Sequence, residues 1–135
     1  MTGQYDWIEL FFSSAGRLAR GPFLLAALVL IVILTIYEAV TGPTLTLLTG
    51  WLFYPAMLFA SACVLSKRLH DRGRSGWWAA PILVSIVAVW PHPAGFLDFA
   101  FFLILVWAAV ELAVMPGEQG ANRYGLNPLA PAATA

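Results

Sequence analysis

The residues best able to do chemistry gather in one stretch, Lys67-Arg68-Leu69-His70-Asp71-Arg72-Gly73-Arg74-Ser75-Gly76-Trp77-Trp78. Four cations, one histidine and one carboxylate fall within its first eight residues. If a helix continues through Asp71, then Lys67 and Arg68 stand four and three residues before it, and either can pair with that carboxylate. Gly73 and Gly76 permit a sharp turn, whose exposed backbone N–H groups can hold an anion. This chemistry suits an anionic lipid headgroup, a phosphate-bearing ligand or a protein partner. The competing reading is a loop whose positive charge only sets its side of a membrane.

Catalysis has little support. Adjacent helical residues do not face each other, so His70 beside Asp71 is poor grounds for a dyad. No serine or cysteine nucleophile with an oxyanion-hole motif accompanies them, and no second histidine stands at metal-ligand spacing. Neither an enzyme nor a metal or cofactor site is therefore expected. Cys63, the single cysteine, lies in an apolar run and reads as a small buried hydrophobe. Of the other carboxylates, Glu38 and Asp98 lie near the outer ends of apolar segments. Glu111 lies about 6 Å inside the inner end of one, by helical rise. A carboxylate at depth is a candidate functional or gating group. Its plainer role is an ion pair with Arg17, Arg20 or Arg68, or snorkelling to the interface.

The elements that position these residues follow from hydropathy. Apolar residues make up 61% of the 135 positions and charged ones 10%. Soluble domains carry about 25% charged residues, and a chain this short cannot bury so much hydrocarbon in its own interior. Formal net charge is zero, which gives nucleic acid no global attraction. A bilayer core of about 30 Å needs about 20 helical residues. Candidate spans run from about 22 to 40, 44 to 66, 77 to 90 and 96 to 115. The first begins only at Pro22-Phe23, is span-length and has no convincing cleavage site after it, so it reads as a retained helix. The third covers only about 21 Å as a helix. It is either a short span or one arm of a re-entrant hairpin closed by Pro91-His92-Pro93.

Charge placement favours four spans. Arg17, Arg20, Lys67, Arg68, Arg72, Arg74 and Arg123 are all the basic residues, and four spans put every one on the same side. The positive-inside rule then makes both termini cytoplasmic. Trp77, Trp78 and Trp90 flank the third segment as interfacial anchors would. Before the first span, Trp7, Leu10 and Phe11 fall at helical spacing. Residues 5–13 are thus either a short interfacial helix or a loosely ordered leader. The chain divides into an amino-terminal segment, 1–21, a membrane domain, 22–116, and a cytoplasmic tail, 117–135. The tail's Ala/Pro-rich end, after about 128, is expected to be unstructured.

Three motifs occur in order: Gly16-Arg17-x-x-Arg20, then Arg68-Leu69-His70-Asp71-x-Gly73-Arg74-Ser75-Gly76-Trp77-Trp78, then Gly117-x-x-Gly120-x-Asn122-Arg123-Tyr124-Gly125. Together they resemble the YhaH-like family of small bacterial inner-membrane proteins, domain of unknown function 805. The resemblance covers about residues 9 to 128. It departs at Gly21-Pro22-Phe23-Leu24, where relatives are often aromatic-rich, and at Pro116-Gly117-Glu118-Gln119-Gly120, where a Gly-Thr-x-Gly is common. The resemblance implies a multi-pass protein of the bacterial inner membrane and transfers no catalytic residues.

The resulting expectation is an all-α bundle of four membrane helices with a basic cytoplasmic cap and no enzymatic activity. Lys67, Arg68, His70, Asp71, Arg72 and Arg74 should meet the tail residues Asn122, Arg123 and Tyr124 there. The cap would bind anionic lipid or a protein partner. The alternative is a small transporter or channel component, acting as a homo-oligomer past Glu111 or Asp98.

Overall fold

A computed structural model describes residues 6–90 and 92–130. Among them the architecture is all-helical, with no strand beyond one isolated bridge between Asn122 and Gly125. Five α-helices follow in order: α1 (Trp7–Phe12), α2 (Arg20–Val40), α3 (Pro43–Asp71), α4 (Ala79–Val89) and α5 (Phe96–Ala109). A 3-10 turn at Gly76–Trp78 leads into α4, and a π-helical turn at Val110–Val114 ends α5.

The helix starts and stops have local causes. Asp6 caps α1, its Oδ1 accepting from the N–H groups of Ile8 and Glu9 at 3.0 and 3.2 Å. Residues 7–12 are therefore helical rather than a loose leader, while Tyr5 lies outside the described residues. Pro43 begins α3, where a missing N–H is harmless, and Pro55 sits inside it without ending it. α3 runs past Ser66 as far as Asp71, so it carries the basic stretch on its last turns. Asp98 fixes the start of α5 by accepting from the N–H groups of Ala94 and Gly95 at 2.8 and 3.0 Å.

Three elements are long and apolar enough to cross a membrane: Arg20–Val40, Pro43–Asp71 and Phe96–Val114. Gly76–Val89 is a shorter apolar helix. Large apolar side chains point outward from all of them, including Leu28, Leu47, Trp51, Val87 and Phe99. Only 11% of the most apolar stretch of α2 is buried within the protein. Water would oppose such exposure, and hydrocarbon would not.

The core gathers near the basic end. Leu10, Leu18, Phe23, Ala26, Val64, Leu69, Ile82 and Leu112 form one buried cluster there. Thr35 and Ser85, the mid-segment hydroxyls, donate to the carbonyls of Ile31 and Pro81 in their own helices. The expectation of an unstructured tail falls mostly on residues 131–135, outside the described residues. Asn127–Ala130 still form a hydrogen-bonded turn.

Candidate functional site

Where α3 ends, four segments of the chain converge: the α1–α2 connection, the end of α3 and its following loop, the π-helical turn, and the tail. Asp71 stands at the centre. Arg17 Nε donates to its Oδ1 at 3.0 Å, and Arg68 donates to its Oδ2 from the same helix. The side chains of Arg17, Arg68 and Asp71 are all at least 97% buried. Of the two candidates for the helical pair with Asp71, the structure selects Arg68 over Lys67. Lys67 instead turns to α1, donating to the carbonyls of Glu9 and Leu10 at 2.6 and 2.7 Å.

Most of these cations hold backbone carbonyls, whether or not they also hold a carboxylate. Beyond Asp71, Arg17 donates to the carbonyls of Glu118 and Gly120 at 2.6 and 2.7 Å, which straps the tail to the end of α3. Arg68 donates to Leu112 O and Met115 O at 2.7 and 2.6 Å, and Arg20 to Val114 O at 2.8 Å. These carbonyls belong to the π-helical turn and the residue after it. A helix end leaves carbonyls without intrahelical partners, and arginine donors satisfy them here. Every deeply buried side-chain nitrogen and oxygen among the described residues has a hydrogen-bond partner.

Glu111 corrects one expectation. Its partners are neither Arg17, Arg20 nor Arg68 but Arg72 and Arg74, at 3.0 and 2.8 Å. The π-helical turn and the loop after α3 place them beside it. Arg72 also donates to Pro116 O, tying the tail's first residues to the loop.

The tail closes over this core. Gly73 takes a left-handed φ of +70°, turning the loop sharply after α3. Glu118 N then donates to Asp71 O at 2.8 Å. A Cβ on Gly117 would overlap the Asp71 carboxylate, so glycine is what lets the tail approach so closely. Gly120, singled out for a close turn, has open space around it. Asn122 donates to His70 O at 2.9 Å and to Glu118 Oε2 at 2.6 Å. His70 and Tyr124 stack, ring centroids 3.8 Å apart, and the Arg123 guanidinium lies 4.8 Å from the Tyr124 centroid. The structure thus brings His70 and Asp71 directly against the tail that carries Asn122, Arg123 and Tyr124, with Arg68 and Arg72 on the residues just before it, whereas Lys67 faces α1 and Arg74 faces Glu111.

Other singled-out residues lie apart. Asp98 serves the start of α5 at the opposite end, and Trp90 is exposed there. Trp77 is 85% exposed, while Trp78 packs against Trp107 at 5.7 Å. Reading residue types did not single out Arg17 as central, nor Gly117 and Glu118 as its company. The Gly-Arg-x-x-Arg pattern was the available signal.

The fold and this cap define a class: small all-helical proteins with membrane-length helices joined at one end by a buried arginine network. The chain belongs to the family described as "Protein of unknown function (DUF805)", whose model matches residues 11–126. It is 33% identical over 128 residues to "Uncharacterized protein YiiR" of Escherichia coli K12, covering 87% of this chain and 86% of the relative. The protein of the same name from Escherichia coli O157:H7 matches equally. No solved structure matches.

Proposed function

We propose that this chain is a four-span protein of the bacterial cytoplasmic membrane, both termini cytoplasmic, whose cap binds anionic lipid headgroups without catalysing a reaction. Four spans gather all seven basic residues and five of the seven acidic ones on the cap side, an excess of positive charge. The cytoplasmic orientation follows from the positive-inside rule, and a 14-residue third span requires a locally thinned bilayer. The observation that carries the headgroup reading is the state of the cations. Arg17, Arg20, Lys67, Arg68, Arg72 and Arg74 all donate to carboxylates or carbonyls of the protein. Among the described residues, Arg123 alone of the seven makes no such bond. It lies exposed on the Tyr124 ring. Arginine presents a fork matched to phosphate oxygens, and stacking holds that fork in place. Glu111 and Asp98 are each engaged by neighbouring groups, which supports this reading over transport past either carboxylate.

The test is thermal unfolding of the purified protein in mild detergent with added phosphatidylglycerol or phosphatidylcholine. Phosphatidylglycerol should raise the melting temperature more, high salt should shrink the difference, and Arg123→Ala should remove most of it. Equal stabilisation by the two lipids refutes headgroup binding.

A further inference from the structure

A groove of about 560 Å³ opens beside the cap between α1, α3 and the start of α4. That volume lies within the range of about 300–1,000 Å³ found for small-ligand sites. One face of α3 forms its wall: Phe59, Ala62, Cys63, Ser66 and His70, spaced as successive turns of one helix side. The wall changes character along its length. Its deeper half is aromatic or aliphatic apart from Cys63, and its outer half is Ser66 and His70. Opposite, Ala80 and Leu83 of α4 continue the apolar part, while Ser14, Ser75 and Tyr124 continue the polar rim.

Ala62 on α3 and Ala80 on α4 line the groove with small side chains. A Cβ on Gly76 would come within 3.1 Å of His70 Nε2 and 3.0 Å of Ser66 Oγ, so glycine lets the loop pack closely on this edge of α3. His70 presents that nitrogen in a defined state. Its Nδ1 lies 2.9 Å from Gly16 O, and a carbonyl only accepts, so Nδ1 carries the proton. Nε2 makes no hydrogen bond with the described residues and in the neutral ring accepts one. The ring is held flat against Tyr124, which in turn carries Arg123.

We infer that this groove holds one molecule of an anionic phospholipid with a hydroxylated headgroup, one acyl chain lying along α3 between Phe59 and Ala80. The inference rests on the cap reading and names its site. Three features select this occupant. The apolar half runs along an apolar helix face, as a chain continuous with bilayer hydrocarbon requires. Tyr124 closes the rim and carries the exposed Arg123 on its ring, so the guanidinium stands just outside the mouth, where it meets the phosphate charge. His70 Nε2 and the serine hydroxyls offer partners to a free headgroup hydroxyl, which the esterified choline of phosphatidylcholine lacks.

The experiment titrates the full-length protein in mild detergent with phosphatidylglycerol, phosphatidylcholine and soluble glycerol phosphate, reading bound lipid by native mass spectrometry. A phosphatidylglycerol with a diazirine on one acyl chain maps the site by cross-linking. Phosphatidylglycerol should be retained, with cross-links on the α3 and α4 peptides around Ala62 and Leu83. Ala80→Phe fills the groove from an exposed position and should weaken retention about tenfold, about 1.4 kcal/mol by the standard conversion, with unfolding temperature unchanged. Arg123→Ala should weaken it about fivefold and erase the preference over phosphatidylcholine. Glycerol phosphate should bind far more weakly than the lipid. If Ala80→Phe leaves retention intact, or cross-links fall elsewhere while Arg123→Ala still acts, the groove is refuted and the cap reading stands. Equal retention of the two lipids refutes both. Glycerol phosphate binding as tightly as the lipid refutes the acyl chain and leaves headgroup recognition.

Discussion

Arg17 reaches Asp71 across 54 positions of sequence, its Nε donating to Oδ1 at 3.0 Å with both side chains almost wholly buried. The same guanidinium also holds the carbonyls of Glu118 and Gly120. One side chain therefore joins the amino-terminal connection, the end of α3 and the tail. Removing one partner of a buried pair commonly costs about 3–5 kcal/mol, because the other charge is left without compensation. Asp71 would keep Arg68, so the loss should fall at the lower end of that range.

Arg17→Ala should accordingly lower stability by about 3 kcal/mol and free the tail. Limited trypsin digestion should cut at Arg123 far faster than in the parent. Arg17→Lys restores the charge but not the planar fork, so its tail should remain susceptible. Parental resistance in both variants would show that the tail docks without Arg17.

Gly117→Ala should cost about 1–3 kcal/mol, the range for overpacking a filled site, because the added Cβ meets the Asp71 carboxylate. Gly120→Ala is the matched control: nothing lies within 4 Å of its Cβ position, and it should be nearly neutral. Denaturation in mild detergent distinguishes them, and equal effects would refute the close approach.

Glu111→Gln should lower stability by about 1–2 kcal/mol, less than a fully buried pair, because Arg72 and Arg74 remain partly exposed to solvent. Arg74→Gln should cost less again, since Arg72 stays on the same oxygen. Thermal melts of the two variants and their double mutant measure the coupling. Strict additivity would mean that the two groups do not share an interaction.

Cysteine labelling in a Cys63→Ala background tests the proposed topology. Positions 14, 75 and 134 should react only from the cytoplasmic side, and positions 41 and 94 only from outside. Labelling of position 134 from outside would replace four spans with three and a re-entrant α4.

What the sequence determined by itself concerns properties that accumulate along a chain. Transfer of apolar side chains into hydrocarbon is additive over a segment. The runs from Phe23 and from Phe96 therefore announce membrane-length helices without reference to any neighbour. The cluster of four cations between positions 67 and 74 is legible for the same reason. So is the family, whose motifs are local strings. Tertiary structure decided how the cap is wired. Arg68 could have faced a headgroup, but folding spends its donors on Leu112, Met115 and Asp71. Glu111 had several cations in prospect, and the π-helical turn gave it Arg72 and Arg74. The physical reason lies in the partners. An arginine here is satisfied largely by backbone carbonyls, which every residue carries, so no residue type marks them in advance. Hydrogen bonds also weaken over fractions of an ångström, and only the packed fold sets distances that fine.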